Sequence, residues 1–242
     1  MRKKGKIRAI RSRRSEAMGI LIPLLLLILF NLVTGIVNVL PSQARKDVEW
    51  DQGMAAPQVI WEHWEWGLPL NQKKSYLSVT SHMLCFSNVR LHGLHSLVGD
   101  GWTGSGWKSS EPLVLTQQPG YPAQCGIYQL QDGDRTIVYL VGRIADYRIE
   151  KTVFTLRWGF QEETVELSER DMIRTEQGHF FVLRLDSSTH VTGSDIVNGE
   201  VLTGVHMTVL DAEGVPLIWT DEKGYQTTSY YVEDVVTEGR PY

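Results

Sequence analysis

Apolar positions along the chain follow two regimes. Residues 18–40 (MGILIPLLLLILFNLVTGIVNVL) form one unbroken run of 23 uncharged residues. As a helix rising ~1.5 Å per residue it would be about 35 Å long, enough for a hydrocarbon core of about 30 Å, so it predicts a transmembrane helix. Pro23 sits near the start of this helix, where a missing backbone N–H costs least. Beyond residue 40 the apolar residues come in short runs that alternate with polar ones, the period of strands. YLSVT (76–80) and MLCFSNV (83–89) are two such runs. GIYQLQ (126–131), the turn DGD and RTIVYLVG (135–142) predict a hairpin, by alternation and turn chemistry. TVFTLRWGF (152–160), ETVELS (163–168) and HFFVLRLD (179–186) continue the pattern. VLTGVHMTVL (201–210), DAEG and VPLIWT (215–220) predict a second hairpin, and GYQTTSYYV (224–232) a last strand. Short strands at this spacing predict a mainly β fold closed as a β-sandwich.

The divisions follow. Residues 1–17 are a basic tail, 18–40 the transmembrane helix, and 41–74 a linker or irregular stem holding a Trp cluster. Residues 75–122 are a smaller strand- and Gly-rich segment, and 123–242 the β-sandwich domain.

Charge gives the orientation. Residues 1–17 carry eight Lys or Arg and one acid, net +7, whereas 41–242 carry 16 basic and 27 acidic residues, net −11. Basic residues before a span stay on the cytoplasmic side, so the expectation is a single-pass protein of the cell membrane, N-terminus cytoplasmic and C-terminal domain extracytoplasmic. The competing reading is a cleaved signal peptide, since Ser42-Gln43-Ala44 has small-x-small character. The apolar run is well beyond the ~7–15 residues of a signal h-region, which favours a retained signal-anchor. An acidic domain is poorly suited to phosphate neutralisation, so no nucleic-acid partner is expected.

Gly106, Trp107 and Lys108 form a Gly-Trp-Lys element that precedes TIVYLVGRIADYRIEKTVFTL (136–156), GHFFVLRL (178–185) and VHMTVLDAEGVPLIW (205–219). In that order these features resemble a family of small membrane-anchored extracytoplasmic domains of Gram-positive bacteria. In that family an early strand segment with a Gly-Trp-Lys element leads into an immunoglobulin-like half. The resemblance covers 75–221, and the sequence departs from it around Trp107, where Gly and His are more frequent. It implies an immunoglobulin-like sandwich behind an anchor. The family has no assigned activity, so no chemistry is implied.

Candidate chemistry is sparse. Cys85 and Cys125 are the only cysteines, and an even pair in an exported domain predicts a disulfide. The alternative is two buried thiols, since Cys85 lies mid-strand between Leu84 and Phe86. His92 and His95, with His82 and Asp100 nearby, are weak candidates for a metal site: His-x-x-His can supply two ligands, but a second paired motif is missing. They also fall among Leu91, Leu94 and Leu97, as in ordinary packing. Trp61, Trp64 and Trp66 could form a ligand platform, lie at the membrane interface, or cover the sandwich core. Trp102 and Trp107 with their glycines could form a binding loop, or the glycines could simply serve tight turns. Asn31, Thr34, Gly35 and Asn38 share one stripe of the span and could contact another membrane helix.

No catalytic signature is legible, and no cofactor is expected. The leading expectation is a non-catalytic exported domain that binds a protein or envelope component, with the membrane and another membrane or envelope protein as partners. The alternatives are a metal-dependent envelope enzyme built on His82, His92 and His95, and a structural subunit of a membrane complex joined through the stripe.

Overall fold

The computed structural model describes residues 21, 22, 25, 26, 38, 40–65, 72–92, 106–132, 135–158, 161–168, 171–186, 202–220, 224–232 and 235–238. It is mainly β. A helix, α1 (Pro41–Asp51), precedes β1 (Gln58–Glu65), β2 (Lys73–Val79), β3 (Met83–His92), β4 (Gly106–Ser109) and β5 (Leu113–Thr116). Then come β6 (Ala123–Asp132), β7 (Arg135–Ile144), β8 (Lys151–Trp158), β9 (Gln161–Ser168), β10 (Ile173–Thr175) and β11 (Gly178–Asp186). The chain ends with β12 (Leu202–Leu210), β13 (Trp219–Thr220), β14 (Gln226–Thr227), β15 (Ser229–Tyr231) and β16 (Val235–Glu238).

These strands make three stacked sheets. The first has the order β1-β2-β3-β4, with β5 also beside β3. The central sheet is β10-β11-β7-β6-β16, and the third is β15-β12-β8-β9, with β13 and β14 as a separate pair. β16 pairs parallel with β6, and the other ladders are antiparallel.

Alternation along β7 explains the stacking. Ile137, Tyr139 and Val141 face the first sheet, where they meet Leu77, Leu84, Phe86 and Leu113. Val138, Leu140 and Ile144 face the third sheet, where they meet Phe154, Leu156, Val205 and Met207. A strand apolar on both faces belongs in a middle layer, which is why TIVYLVG reads as a nearly continuous hydrophobic run. α1 covers the outer face of the first sheet through Ala44, against Tyr76, Val89 and Trp107.

Specific contacts fix how the layers are aligned. At one end, the Trp107 N–H donates to the Asn38 carbonyl at 2.8 Å, so the chain enters the domain beside β4. Towards that end the Tyr139 hydroxyl donates to Glu65 at 2.5 Å, with Arg184 3.7 Å from the same carboxylate. Burial and the Glu65 charge push the Tyr139 hydroxyl well above its ordinary pKa. At the opposite end, Arg143 donates to the carbonyls of Thr80 at 2.8 Å and Ser81 at 3.2 Å, and to Gln117 at 3.0 Å. From Tyr139 to Arg143, β7 therefore runs from the side of the Asn38 junction to a far end, where the β2–β3 turn is clamped.

Several sequence expectations are corrected here. The segment 41–74 is no irregular stem: it holds α1, β1 and the start of β2. Pro41 opens α1 at a first-turn position where proline is well tolerated, and Gln43 Oε1 accepts the Leu40 N–H at 2.9 Å. The hairpin expected of 201–210 with 215–220 forms only at its tip. Asp211 Oδ1 accepts the N–H groups of Glu213 and Val215 at 3.1 and 2.8 Å, Leu210 bridges Pro216, and Trp219 then pairs with Thr227 instead. The last strand expected at 224–232 is split into β14 and β15, and β16 follows it.

The disulfide is also corrected, because Cys85 and Cys125 are not joined in a disulfide and both are buried. Leu84 and Phe86 point toward the central sheet, so Cys85 points away from it, under α1. Cys125 lies in the core between the central and third sheets. The two thiols thus point in opposite directions from layers that pack about 10 Å apart, too far for a bond that wants Cα atoms within roughly 7 Å. Burial, followed by the Glu49 charge, pushes the Cys85 thiol up to about 12, which leaves almost no thiolate near neutral pH. A thiol titration at pH 8 is therefore expected to find none in the native protein and two per chain in denaturant. Two oxidised cysteines in denaturant would contradict this packing.

Candidate functional site

The sequence candidates scatter across the fold. Trp61 lies on the inner face of β1, its ring 6.1 Å from Phe86 and 6.2 Å from Tyr139. Trp64 lies on the outer face, edge-on to Trp107 with centroids 5.8 Å apart. Three positions apart on one strand, Trp61 and Trp64 face opposite sides, so they do not form one platform. Trp107 is 6% exposed beneath α1, a core residue and not the tip of a binding loop. Trp66 and Trp102 lie outside the described residues.

The three histidines do not make a shared metal site. His82 is exposed at the β2–β3 turn, whereas His92 ends β3, ten residues further along an extended strand. At ~3.3 Å per residue that is about 30 Å, far beyond the reach of one metal ion. His95 and Asp100 lie outside the described residues. Among the described residues, no three His, Cys, Asp or Glu side chains stand together to hold a metal ion.

Of the predicted span, only Leu21, Ile22, Leu25, Leu26, Asn38 and Leu40 are described, and the first four are helical and exposed. Among the described residues no helix is long and apolar enough to cross a membrane. Asn31, Thr34 and Gly35 lie outside them. Asn38 is described, and its side chain is used within the domain: Nδ2 donates to Asp47 Oδ2 at 2.8 Å. Leu40 has extended backbone (φ −114°, ψ 143°) ahead of α1, so Leu40 itself is not helical.

What these residues do build is a fastening layer around the junction. Lys74 Nζ lies 4.7 Å from the Trp64 ring and 4.9 Å from the Tyr76 ring, and pairs with Glu62 at 2.9 Å. Arg45 stacks over Tyr76 at 5.5 Å and forms a buried ion pair with Glu49 one helical turn along. Burial and the Glu62 charge push the Tyr76 hydroxyl up to about 12, so it stays neutral in this layer. Cations over aromatic faces, ion pairs and the Asn38–Trp107 bond together hold α1 to the first sheet.

The far end differs in character. The β7–β8 connection carries Tyr147, 88% exposed, and the segment after β12 carries Val215, Ile218 and Tyr225, each more than half exposed. Both connections sit at this end, since the Glu150 N–H donates to the Leu210 carbonyl at 3.0 Å. Arg148 is held by Asp146, Nη2 to Oδ2 at 2.6 Å, and that pairing holds the Asp146 carboxyl below its usual range. Sequence reasoning missed these four residues. The alternation assigns Tyr147 to no element and places Val215, Ile218 and Tyr225 in strands, which gives no sign of exposure.

No protein-family model, curated protein or solved structure matches the chain.

Proposed function

We propose that this chain is a single-pass membrane protein whose exported domain acts by binding a protein of the cell envelope. The observation that carries the reading is the contrast between the two ends of one rigid stack. The chain arrives from an apolar run at the fastened end, and the large apolar side chains outside that run that are more than half exposed lie toward the other. The basic tail before the run supports a cytoplasmic N-terminus.

The central and third sheets constitute an immunoglobulin-like sandwich in this reading. With β6 to β12 taken as strands A, B, C, C′, D, E and F, and β15 as G, the central sheet reads D-E-B-A and the third G-F-C-C′. That partition is the immunoglobulin one, with C′ added to the G-F-C sheet. The likeness to small anchored domains of Gram-positive bacteria agrees with it, and the Gly106-Trp107-Lys108 element gains a role as the seat of the junction. The fold alone assigns no activity.

Photo-crosslinking in intact cells tests the reading. A crosslinking residue is placed in turn at exposed positions of the domain in the full chain. The expected result is one discrete adduct of constant partner mass from a contiguous set of positions, with none from the rest. Adducts of random mass from every face, or self-adducts alone, would contradict a specific binding role.

A further inference from the structure

We propose that the far end of the stack is the docking surface, and that its partner is a protein segment combining apolar side chains with lysine or arginine. The inference deepens the binding role proposed above and rests on it.

Exposure locates the surface. Among the described residues after the apolar run, the large hydrophobic side chains more than half exposed are Trp50, Tyr147, Val215, Ile218 and Tyr225. All five lie toward the far end. Trp50 lies in the last turn of α1, which starts by the Asn38 junction and leads into β1, whose first residue Gln58 pairs with Val79 beside the β2–β3 turn. Tyr147 follows β7 directly, and Val215 and Ile218 follow the turn closed by Leu210 and Pro216. Buried residues hold the exposed ones in place: Ile149 is in the core two positions after Tyr147, and Trp219 is in the core next to Ile218. The surface is thus built on fixed backbone, and exposed apolar clusters of this kind mark interaction sites.

Charge identifies the occupant. Residues 145–151 and 211–220 contain four acids, Asp146, Glu150, Asp211 and Glu213, and two cations. Both cations are committed, Arg148 to Asp146 at 2.6 Å and Lys151 to Glu166 at 2.6 Å. Glu150 and Glu213 remain exposed around the apolar side chains. An acidic rim around an apolar centre attracts a basic rim and repels a second copy of itself. Geometry disfavours a lipid occupant, because β3 runs eight residues, about 26 Å at ~3.3 Å each, from Leu91 beside Trp107 at the junction to Met83 at this end.

The test uses the full chain in nanodiscs and a phage-displayed random peptide library as the probe. Selected peptides are expected to combine Lys or Arg with Leu or aromatic residues and to bind more weakly as salt is raised. The double variant Tyr147→Ser with Ile218→Asp should weaken them at least tenfold, whereas Thr164→Asp, on the outer face of the third sheet, should leave them unchanged. The altered side chains are all exposed, and an unchanged melting temperature confirms that folding is intact. Peptides rich in acids, or binding that ignores the double variant, would overturn the proposal. So would a dimer in the ultracentrifuge that Ile218→Asp dissolves, or retention on envelope glycans that the same change abolishes. Because selection is done on purified protein, its failure would leave the membrane topology intact, and a failure of topology would leave the peptide result standing.

Discussion

Replacing Trp107 by alanine is expected to be the most damaging single change at the junction. The side chain is 6% exposed, meets Trp64 edge-on, and packs with Ala44, Tyr76 and Val89 under α1. Removing a buried tryptophan costs about 3–5 kcal/mol, the lost transfer energy plus the cavity left behind. At roughly 2–4 °C per kcal/mol for a domain of this size, the melting temperature should fall by about 10 °C. The loss should also be local. With its seat gone, α1 should become cleavable in limited proteolysis between residues 41 and 57 before the β strands are attacked. A variant that melts within a degree of the parent, with α1 still protected, would show that the junction is held by something other than this contact.

Gly142→Ala tests the central layer in the same way. A Cβ at this position would stand 2.2 Å from the Gln124 carbonyl oxygen and 2.3 Å from Phe181 Cζ. The first neighbour is backbone of a paired strand, and the second is a fully buried ring packed 5.4 Å from Phe154, so neither can yield cheaply. The cost should reach the upper end of the overpacking range, about 3 kcal/mol, seen as a shift in the denaturation midpoint. Gly126→Ala is the control. The atoms nearest its Cβ would be Leu113 and Leu115 methyl groups at 2.9–3.1 Å, and leucine side chains can shift, so about 1 kcal/mol is expected. Equal effects at the two sites would contradict the packing of Phe181 onto β7.

The legible parts of the fold are those whose burial leaves a period. β7 and β11 were evident in TIVYLVG and HFFVLRL because a strand between two cores is apolar on both faces. α1 was not, because PSQARKDVEWD buries Ala44 together with the Arg45–Glu49 pair, so no apolar stripe appears. The cysteines failed for a different reason. Compartment and count argue for pairing, but the face each residue takes depends on which layer packs where. Leu84 and Phe86 already placed Cys85 on the opposite face of β3, yet only the stacking order reveals that Cys125 lies a layer away. The histidines illustrate the same limit, since nearness in sequence becomes distance once β3 is extended. At the far end, the residue types of Tyr147 and Ile218 are legible, but their exposure belongs to the assembled fold.

Site-directed labelling in intact cells tests most directly the claim that this is an anchored, exported domain. The buried Cys85 and Cys125 give little background, so a membrane-impermeant maleimide reports on one introduced cysteine at a time. Tyr147→Cys should label in intact cells, and Ser12→Cys only after the membrane is permeabilised, with both chains migrating at full length. Labelling of Ser12→Cys from outside, or protection of Tyr147→Cys until permeabilisation, would contradict the topology on which the binding role depends.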